Sequence, residues 1–241
     1  MRFDEVTRST QVTAVELAEN GAPAWTLVGA AHQTEGRGRL GRDWLDEPGA
    51  LLFSVIARPE IAPDRGGLVT LLAGLAMAEA LRGATATEVR CKWPNDLVVD
   101  DAKVGGILAS ARTSRDVLDY VVLGVGVNLG GAPGVSGAAA LSDAEPADVL
   151  GAFLEAFAKD LQPSRAAFAR DVIGRYRTVC ATIGRRVRAT TTDGALVEGE
   201  ALDVDDAGGL IVRMDAGLRT VRFGDVEHVR DGALPGAGGP G

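Results

Sequence analysis

Residues 88–127, EVRCKWPNDLVVDDAKVGGILASARTSRDVLDYVVLGVGV, carry the pattern that decides the fold. They contain four short apolar runs, which predict strands over residues 88–93, 97–100, 104–112 and 118–127. Asp100, Asp101 and Ala102 separate the second run from the third and are typical of a tight hairpin turn. This part of the sheet is therefore expected to be antiparallel.

Helices and further strands are predicted around this region. Apolar residues at helical spacing and stop signals predict helices over residues 10–20, 64–81, 147–160 and 164–176, with Gly83 ending the second. Strands are predicted over residues 25–31 and 51–57, the latter apolar enough to be buried on both faces. Residues 130–146 are poor in charge and rich in glycine and alanine, which predicts a mobile loop. The expected fold class is α+β, a mixed and mostly antiparallel sheet backed by helices.

The sequence pattern changes near residue 183, from predicted helices to short strands. Short strands separated by turns with glycine are predicted over residues 187–191, 196–203, 210–214 and 218–223. This spacing is typical of a small β-barrel. We expect one domain over residues 1–182, a second over residues 183–232 and a disordered tail over residues 233–241.

Composition excludes several classes of protein. The 241 residues include 25 Lys+Arg and 33 Asp+Glu, so the net charge of −8 argues against a dedicated nucleic-acid binder. No uninterrupted apolar run approaches the roughly 18–20 residues that cross a bilayer, and no secretory signal is evident, so the expected location is cytoplasmic. Two cysteines and two histidines argue against a disulfide framework and a zinc site, and no metal ligands are predicted.

Residues 36–44, GRGRLGRDW, form the most informative segment for function. Arg37, Arg39 and Arg42 alternate with glycines, so the segment could wrap a polyphosphate or a carboxylate–phosphate pair, or be a flexible surface loop. Its glycines match the dinucleotide pattern G-x-G-x-x-G, but that pattern must open a helix. Since Asp43-Trp44-Leu45-Asp46-Glu47-Pro48 is a poor helix start, a Rossmann site is not expected.

Three other segments carry candidate binding groups. Asn95 and Asp96 follow Trp93-Pro94, where they offer hydrogen-bonding groups or simply form a turn. Lys103 enters an apolar strand beside Gly105 and Gly106, where it could face an anion or lie at the strand end. Asn128 ends a strand thinned by glycines and could bind a ligand or be a satisfied core amide.

Taken together, GRGRLGRDW, KWPNDL, KVGGIL and GVGVNL occur in an order that resembles the biotin protein ligases. Ser9-Thr10 and Gln33-Thr34 precede them, as in that family. The resemblance implies a catalytic domain followed by an SH3-like barrel. It also implies that biotin reacts with MgATP to give biotinyl-5′-adenylate, which is transferred to a lysine of a biotin carboxyl carrier domain. The alternatives are a lipoate or octanoate ligase, which would need a longer apolar tunnel, and a non-catalytic nucleotide-binding regulatory module.

The resemblance also implies roles for individual residues. Biotin would contact Ser9, Thr10, Gln33, Arg37, Gly105 and Gly106. The nucleotide or adenylate would contact Arg37, Arg39, Arg42, Trp44, Asn95, Lys103 and Asn128, with Lys103 and Arg39 as catalytic residues. Arg230 could also reach the nucleotide phosphates or be a surface charge.

Two positions of the family pattern differ in this sequence. The usual Ser-Thr-Asn element ends in Gln11, which puts the role of that third position in question. Regulatory members carry a DNA-binding domain before this element, whereas eight residues precede Ser9 here, so a ligase without repressor function and without a nucleic-acid partner is expected. The sequence leaves open whether the chain is a monomer or a homodimer.

Overall fold

The computed structural model describes residues 1–191, 194–222 and 224–229. The helices are α1 (Thr10–Glu19), α2 (Gly67–Thr85), α3 (Pro146–Asp160) and α4 (Phe168–Val179). The strands are β1 (Arg2–Thr7), β2 (Leu27–Gln33), β3 (Leu51–Ala57), β4 (Arg90–Lys92), β5 (Asp96–Val99), β6 (Ala102–Ser114), β7 (Val117–Val127), β8 (Arg186–Thr191), β9 (Leu196–Val204), β10 (Leu210–Met214), β11 (Gly217–Val221) and β12 (Gly224–His228). The predicted tail over residues 233–241 and Arg230 lie outside the described residues.

The first sheet has seven strands in the order β1-β2-β3-β7-β6-β5-β4. The β1–β2 pair is parallel and every other neighbouring pair is antiparallel, which confirms a mixed, mostly antiparallel sheet. Asp100 and Asp101 both have positive φ, 48° and 67°, as a two-residue turn between twisted strands requires. The hairpin predicted at this point is therefore confirmed.

Helices cover both faces of this sheet. On one face α1 packs Ala14 and Ala18 against Ile56 and Val122 of the central strands. On the other face α2 lies in the main core with α3 and α4. Because β3 runs between these layers, all seven of its residues are buried, as its apolar sequence predicts.

Helix α2 has features that the sequence analysis missed. Together with the preceding turn it spans 23 residues, with a mean hydropathy of 1.3 in its most apolar window, so by length and composition alone it could cross a membrane. However, 67% of that window is buried inside the protein, which accounts for its apolar character. The helix also continues past Gly83 to Thr85 and ends where Ala86 adopts a left-handed conformation with φ 53°. The predicted end at Gly83 was wrong.

The second sheet has five antiparallel strands in the order β11-β10-β9-β8-β12. It forms a small barrel-like unit, whose buried side chains include Val187, Val197 and Val212. Trp93 joins the two sheets, because its indole Nε1 donates to Gly208 O at 2.9 Å. Since Trp93 is only 1% exposed, its role here is packing. We propose that the domain boundary lies between α4 and β8.

Other differences concern segments with weak patterns. Strand β1 was not predicted, because four of its six residues are exposed and it carries no apolar alternation. Helix α4 begins at Phe168 rather than near residue 164. Residues 130–146 pair with the main sheet: Lys103 N donates to Gly137 O at 2.7 Å, and Leu141 N donates to Asn128 O at 2.9 Å.

Candidate active site

A pocket opens on the face of the first sheet that carries α1, with a cavity volume of about 110 Å³. It is enclosed by the start of α1, the segment over residues 36–44, the β5–β6 hairpin, β7 and the start of β12. Strand register brings the sequence motifs to this place, because Gly106 pairs with Gly126 on β7 and with Asp96 on β5. Three motifs thus occupy three neighbouring strands.

The segment over residues 36–44, hereafter the arginine loop, is a closed turn. Trp44 N donates to Gly36 O at 2.9 Å and Gly38 N donates to Arg42 O at 2.7 Å. A single 3-10 turn, Arg39–Gly41, lies between these bonds, and the chain is extended again at Arg42. No helix follows the glycines, so the expectation that this is not a Rossmann loop is confirmed.

Cationic side chains gather at one end of the pocket. Arg39 is partly buried and donates to two neutral oxygens, Asn95 Oδ1 at 2.9 Å and Gly224 O at 2.8 Å. Burial lowers the pKa of Arg39 from its usual value, while Asp225 and Asp96 oppose that change. A guanidinium remains charged under these conditions, so Arg39 is a partly desolvated cation whose bonded partners carry no charge.

Arg42 and Lys103 differ from Arg39 because each has a carboxylate partner. Arg42 is hydrogen-bonded to Asp225 of β12, which raises the pKa of Arg42. Lys103 Nζ lies 2.6 Å from Asp96 Oδ1. Within the residues that the structure describes, no three His, Cys, Asp or Glu side chains meet in a group that could hold a metal ion.

Trp44 lies on a floor of glycines in the middle of the pocket. A Cβ atom added at Gly126 would overlap the indole, and one at Gly106 would lie 3.4 Å from it. Lys103 Nζ lies 5.7 Å from the ring centroid of Trp44, within cation–π distance. The indole Nε1 is buried and has no hydrogen-bond partner among the described residues. Glycine at these strand positions therefore creates the space for the ring.

The opposite end of the pocket is polar and uncharged. Thr10 donates from its backbone N to Gln33 Oε1 at 2.8 Å, and its hydroxyl lies 3.2 Å from the same oxygen. Ser9 stands at the N-terminus of α1, but its hydroxyl makes no capping bond. That hydroxyl is buried and unpartnered among the described residues, so it can bond to a ligand.

Ten of the twelve predicted site residues line this one pocket. They are Ser9, Thr10, Gln33, Arg37, Arg39, Arg42, Trp44, Asn95, Lys103 and Gly106. Gly105 does not, because a side chain there would point at Leu97 and Gly126 O. Asn128 is also outside the lining: it is 2% exposed and its Nδ2 donates to Ala139 O at 2.9 Å. Its Oδ1 has no partner among the described residues.

The sequence analysis also missed residues that the pocket contains. Asp225 lies 183 positions beyond Arg42 in the chain, and no local pattern marked it as a partner. Asp96 was identified as a hydrogen-bonding group or a turn residue, but not as the partner of Lys103. Gly124 and Gly126 were noted for thinning a strand, which was the signal that something packs closely against β7.

Two family models match the chain. The Biotin/lipoate A/B protein ligase family matches residues 3–128, and the Biotin protein ligase C terminal domain matches residues 182–229. The chain belongs to this ligase family. The first match contains the sheet and the arginine loop, and the second contains the five-stranded sheet, so the resemblance identified from four short motifs is confirmed.

Curated relatives agree with this assignment. A protein of Mycobacterium tuberculosis named Biotin--[acetyl-CoA-carboxylase] ligase is 36% identical over 242 residues, covering 93% of this chain and 87% of the relative. One of the same name from Paracoccus denitrificans is 32% identical, covering 91% and 97%. The Bifunctional ligase/repressor BirA of Bacillus subtilis is 32% identical, covering 93% of this chain and 73% of its own length.

A solved structure has the same fold. The biotin protein ligase from Aquifex aeolicus in complex with biotin and ATP superposes with a TM-score of 0.79 at 24% identity. The match covers 94% of this chain and 98% of that one. The α+β class with a second small C-terminal β unit is therefore confirmed.

Proposed function

We propose that this chain is an ATP-dependent biotin ligase. It would join biotin to AMP and then transfer biotin to one lysine of a biotin carboxyl carrier domain in a biotin-dependent carboxylase. The observation that carries this proposal is one pocket lined by four cationic side chains and, at its other end, by neutral hydrogen-bonding groups that include the unpartnered hydroxyl of Ser9. The names of the relatives, and the biotin and ATP in the Aquifex aeolicus complex, support it.

In the first step a carboxylate oxygen of biotin attacks the α-phosphorus of ATP. The new bond gives a mixed anhydride, and cleavage of the α–β bond releases pyrophosphate. Negative charge grows on the phosphoryl oxygens during this step, and fixed cations stabilise it most where water is excluded. We assign Arg39 to that role, because it is partly desolvated and its hydrogen-bond acceptors are neutral. We assign Lys103 to it as well, because it lines the same pocket and would exchange Asp96 for the phosphate.

In the second step the carrier lysine attacks the carbonyl carbon of the anhydride. An amide forms, AMP leaves and the amine loses a proton. Until the lysine arrives the anhydride must be kept from water. We propose that the arginine loop and Trp44 cover it, with Arg37 and Arg42 near the phosphate, and that Mg²⁺ arrives with ATP.

The neutral end of the pocket favours biotin over lipoate or octanoate. Ser9, Thr10 and Gln33 bring hydroxyl, amide and carbonyl groups together there. A ureido ring carries both donors and an acceptor, so it can bond to this polar end, whereas the end of an alkyl or dithiolane chain would leave the buried Ser9 hydroxyl unpaired. We propose that Asn128 contacts adenine, which requires that its bond to Ala139 O be exchanged for a bond to the base.

Two further proposals concern the cellular location of the protein and the class of its partner. Cys91 and Cys180 are both free and buried, as expected in a reducing compartment, which supports a cytoplasmic location. The net charge of −8 supports a protein partner rather than a nucleic acid.

The test is an incubation with ATP, labelled biotin and a purified biotin carboxyl carrier domain. Label on the carrier lysine supports the proposed ligase. Label that appears only with octanoate or lipoate would assign the chain to the alternative ligase, and nucleotide binding without any transfer would favour the regulatory module.

A further inference from the structure

Gln11 occupies the neutral end of the pocket and reaches across it from α1. Its Nε2 lies 2.9 Å from Ser110 Oγ, 3.1 Å from Val122 O and 3.4 Å from Leu108 O. The side chain is 6% exposed and thus links the helix to β6 and β7 through the floor of the pocket.

These contacts fix the orientation of the Gln11 amide. Val122 O and Leu108 O are carbonyl oxygens and can only accept, so the NH₂ group must face them. The Oε1 atom therefore points the other way, where Ser54 Oγ lies 3.1 Å from it. Ser54 is completely buried, so this side of the amide is rigidly held.

Gly124 shows how closely the amide closes the pocket. A Cβ atom added at Gly124 would overlap Gln11 Oε1. The strand thus has no side chain at the one position where the amide lies against it. The amide of Gln11 thus lines the cavity and rests on bare backbone at Gly124.

We propose that Gln11 sets the length of the carboxylic acid that the pocket admits. This inference rests on the proposed function, in which the carboxylate is held at the cationic end. With that end fixed, the far end of the substrate must stop at the Gln11 amide. Each added methylene lengthens the acid by roughly 1.3 Å along an extended chain, which a rigid wall does not accommodate.

The experiment compares biotin with its homologues one methylene shorter and one methylene longer in the acyl chain. The rate constant kcat/KM for acyl-adenylate formation is measured by pyrophosphate release from ATP. Gln11→Asn shortens the side chain by one methylene and withdraws its amide from the pocket. Gln11→Met keeps the length of the side chain but removes the amide. Gln162→Asn is the matched control, because Gln162 is the same residue type, makes an exposed contact and does not line the pocket.

The wild type and Gln162→Asn should both prefer biotin to the longer homologue by about 10-fold or more. Gln11→Asn should raise the ratio of longer homologue to biotin by about 10-fold, whereas Gln11→Met should lower kcat/KM for all three acids and leave that ratio unchanged. An unchanged ratio in folded Gln11→Asn would overturn the inference.

A second variant acts in the opposite direction and covers the case in which Gln11→Asn fails to fold. In Gly124→Ala the added Cβ atom should displace the Gln11 amide into the pocket. The ratio of kcat/KM for the shorter homologue to that for biotin should therefore rise, and an unchanged ratio would equally reject the role of Gln11. If the wild type forms no adenylate from any of the three acids, the proposed function itself fails. A wild type that adenylates biotin but whose variants keep its length preference rejects the inference alone.

Discussion

Replacing Arg39 with alanine is expected to slow adenylate formation by about 10²–10³-fold. Arg39 is the cation of the pocket whose bonded partners are both neutral, Asn95 Oδ1 and Gly224 O. An incoming phosphate therefore gains the attraction of Arg39 without first displacing a carboxylate from it. Removal of one such preorganised donor typically raises the barrier by about 2.7–4 kcal/mol.

The same substitution has a smaller effect on folding. Arg39 makes two charge-assisted hydrogen bonds, each typically worth about 1.5–3 kcal/mol where buried. Asn95 borders the open pocket and can bond to water after the substitution, whereas Gly224 is buried and its carbonyl loses this partner, so we expect a total loss of about 1.5 kcal/mol. For a chain of this length that loss lowers the melting temperature by about 3–6 °C. The protein remains folded at 25 °C, so the rate can be compared directly.

The assay is single-turnover adenylation with α-labelled ATP and excess enzyme, which isolates the chemical step from product release. Arg39→Lys should recover part of the rate, because it keeps the charge but loses the planar fork. Arg170→Ala serves as the control, since the Arg170 side chain is 82% exposed. A folded Arg39→Ala variant with the wild-type single-turnover rate would refute the role of this guanidinium.

The other predictions concern four separate sites. Lys103→Ala should reduce single-turnover adenylation by about 10²–10³-fold, and a normal rate would remove Lys103 from the chemistry. Asp225→Asn should increase proteolytic cleavage within the arginine loop of the free protein by no more than about fivefold, because a partly exposed ion pair contributes about 1 kcal/mol. Biotin with ATP should suppress that cleavage, and equal cleavage of the variant and the wild type would show that the pair does not order the loop. Gly126→Ala should weaken biotin binding measured by calorimetry, because the added Cβ overlaps Trp44; undiminished binding would contradict the proposed floor. Burial lowers the pKa of His228 below 6.5, so the neutral imidazole favours the folded state. This contribution to stability is complete above pH 6.5 and declines as the pH falls through the folded-state pKa. On acidification below pH 6.5 the melting temperature of His228→Gln should therefore fall less than that of the wild type, and parallel melting curves against pH would contradict this.

Local patterns predicted the parts of the fold that local physics controls. The Asp100-Asp101 turn specifies its own hairpin, and the buried strand β3 is visible as an unbroken apolar run. The glycines of β6 and β7 also carry structural information, because a strand position without a side chain often marks a group that packs closely against the backbone. Once register pairs Gly106 with Gly126, the motifs converge without further information.

What the sequence did not predict depends on contacts between distant segments. The partner of Arg42 comes from β12, in a different sheet, and the network of Gln11 reaches strands about 100 positions away. Position 11 was noted only as a departure from the family pattern. Gly124 explains how the longer side chain of Gln11 fits, because its amide occupies the space where a side chain at position 124 would otherwise lie.

Asp96 and Asp225 explain how an acidic protein keeps a cationic pocket stable before its substrates arrive. Four like charges around a small cavity would repel one another, and burying them unpaired is costly. In the free protein Asp96 faces Lys103 and Asp225 faces Arg42, so half of the cations are neutralised by side chains that stand at the edge of the pocket. In the proposed reaction, phosphate groups would replace Asp96 and Asp225 as partners of Lys103 and Arg42, whereas Arg39 has no carboxylate to exchange. Because Asp225 and Gly224 belong to β12, the second sheet contributes directly to the electrostatics of a site whose other residues lie on or beside the first sheet.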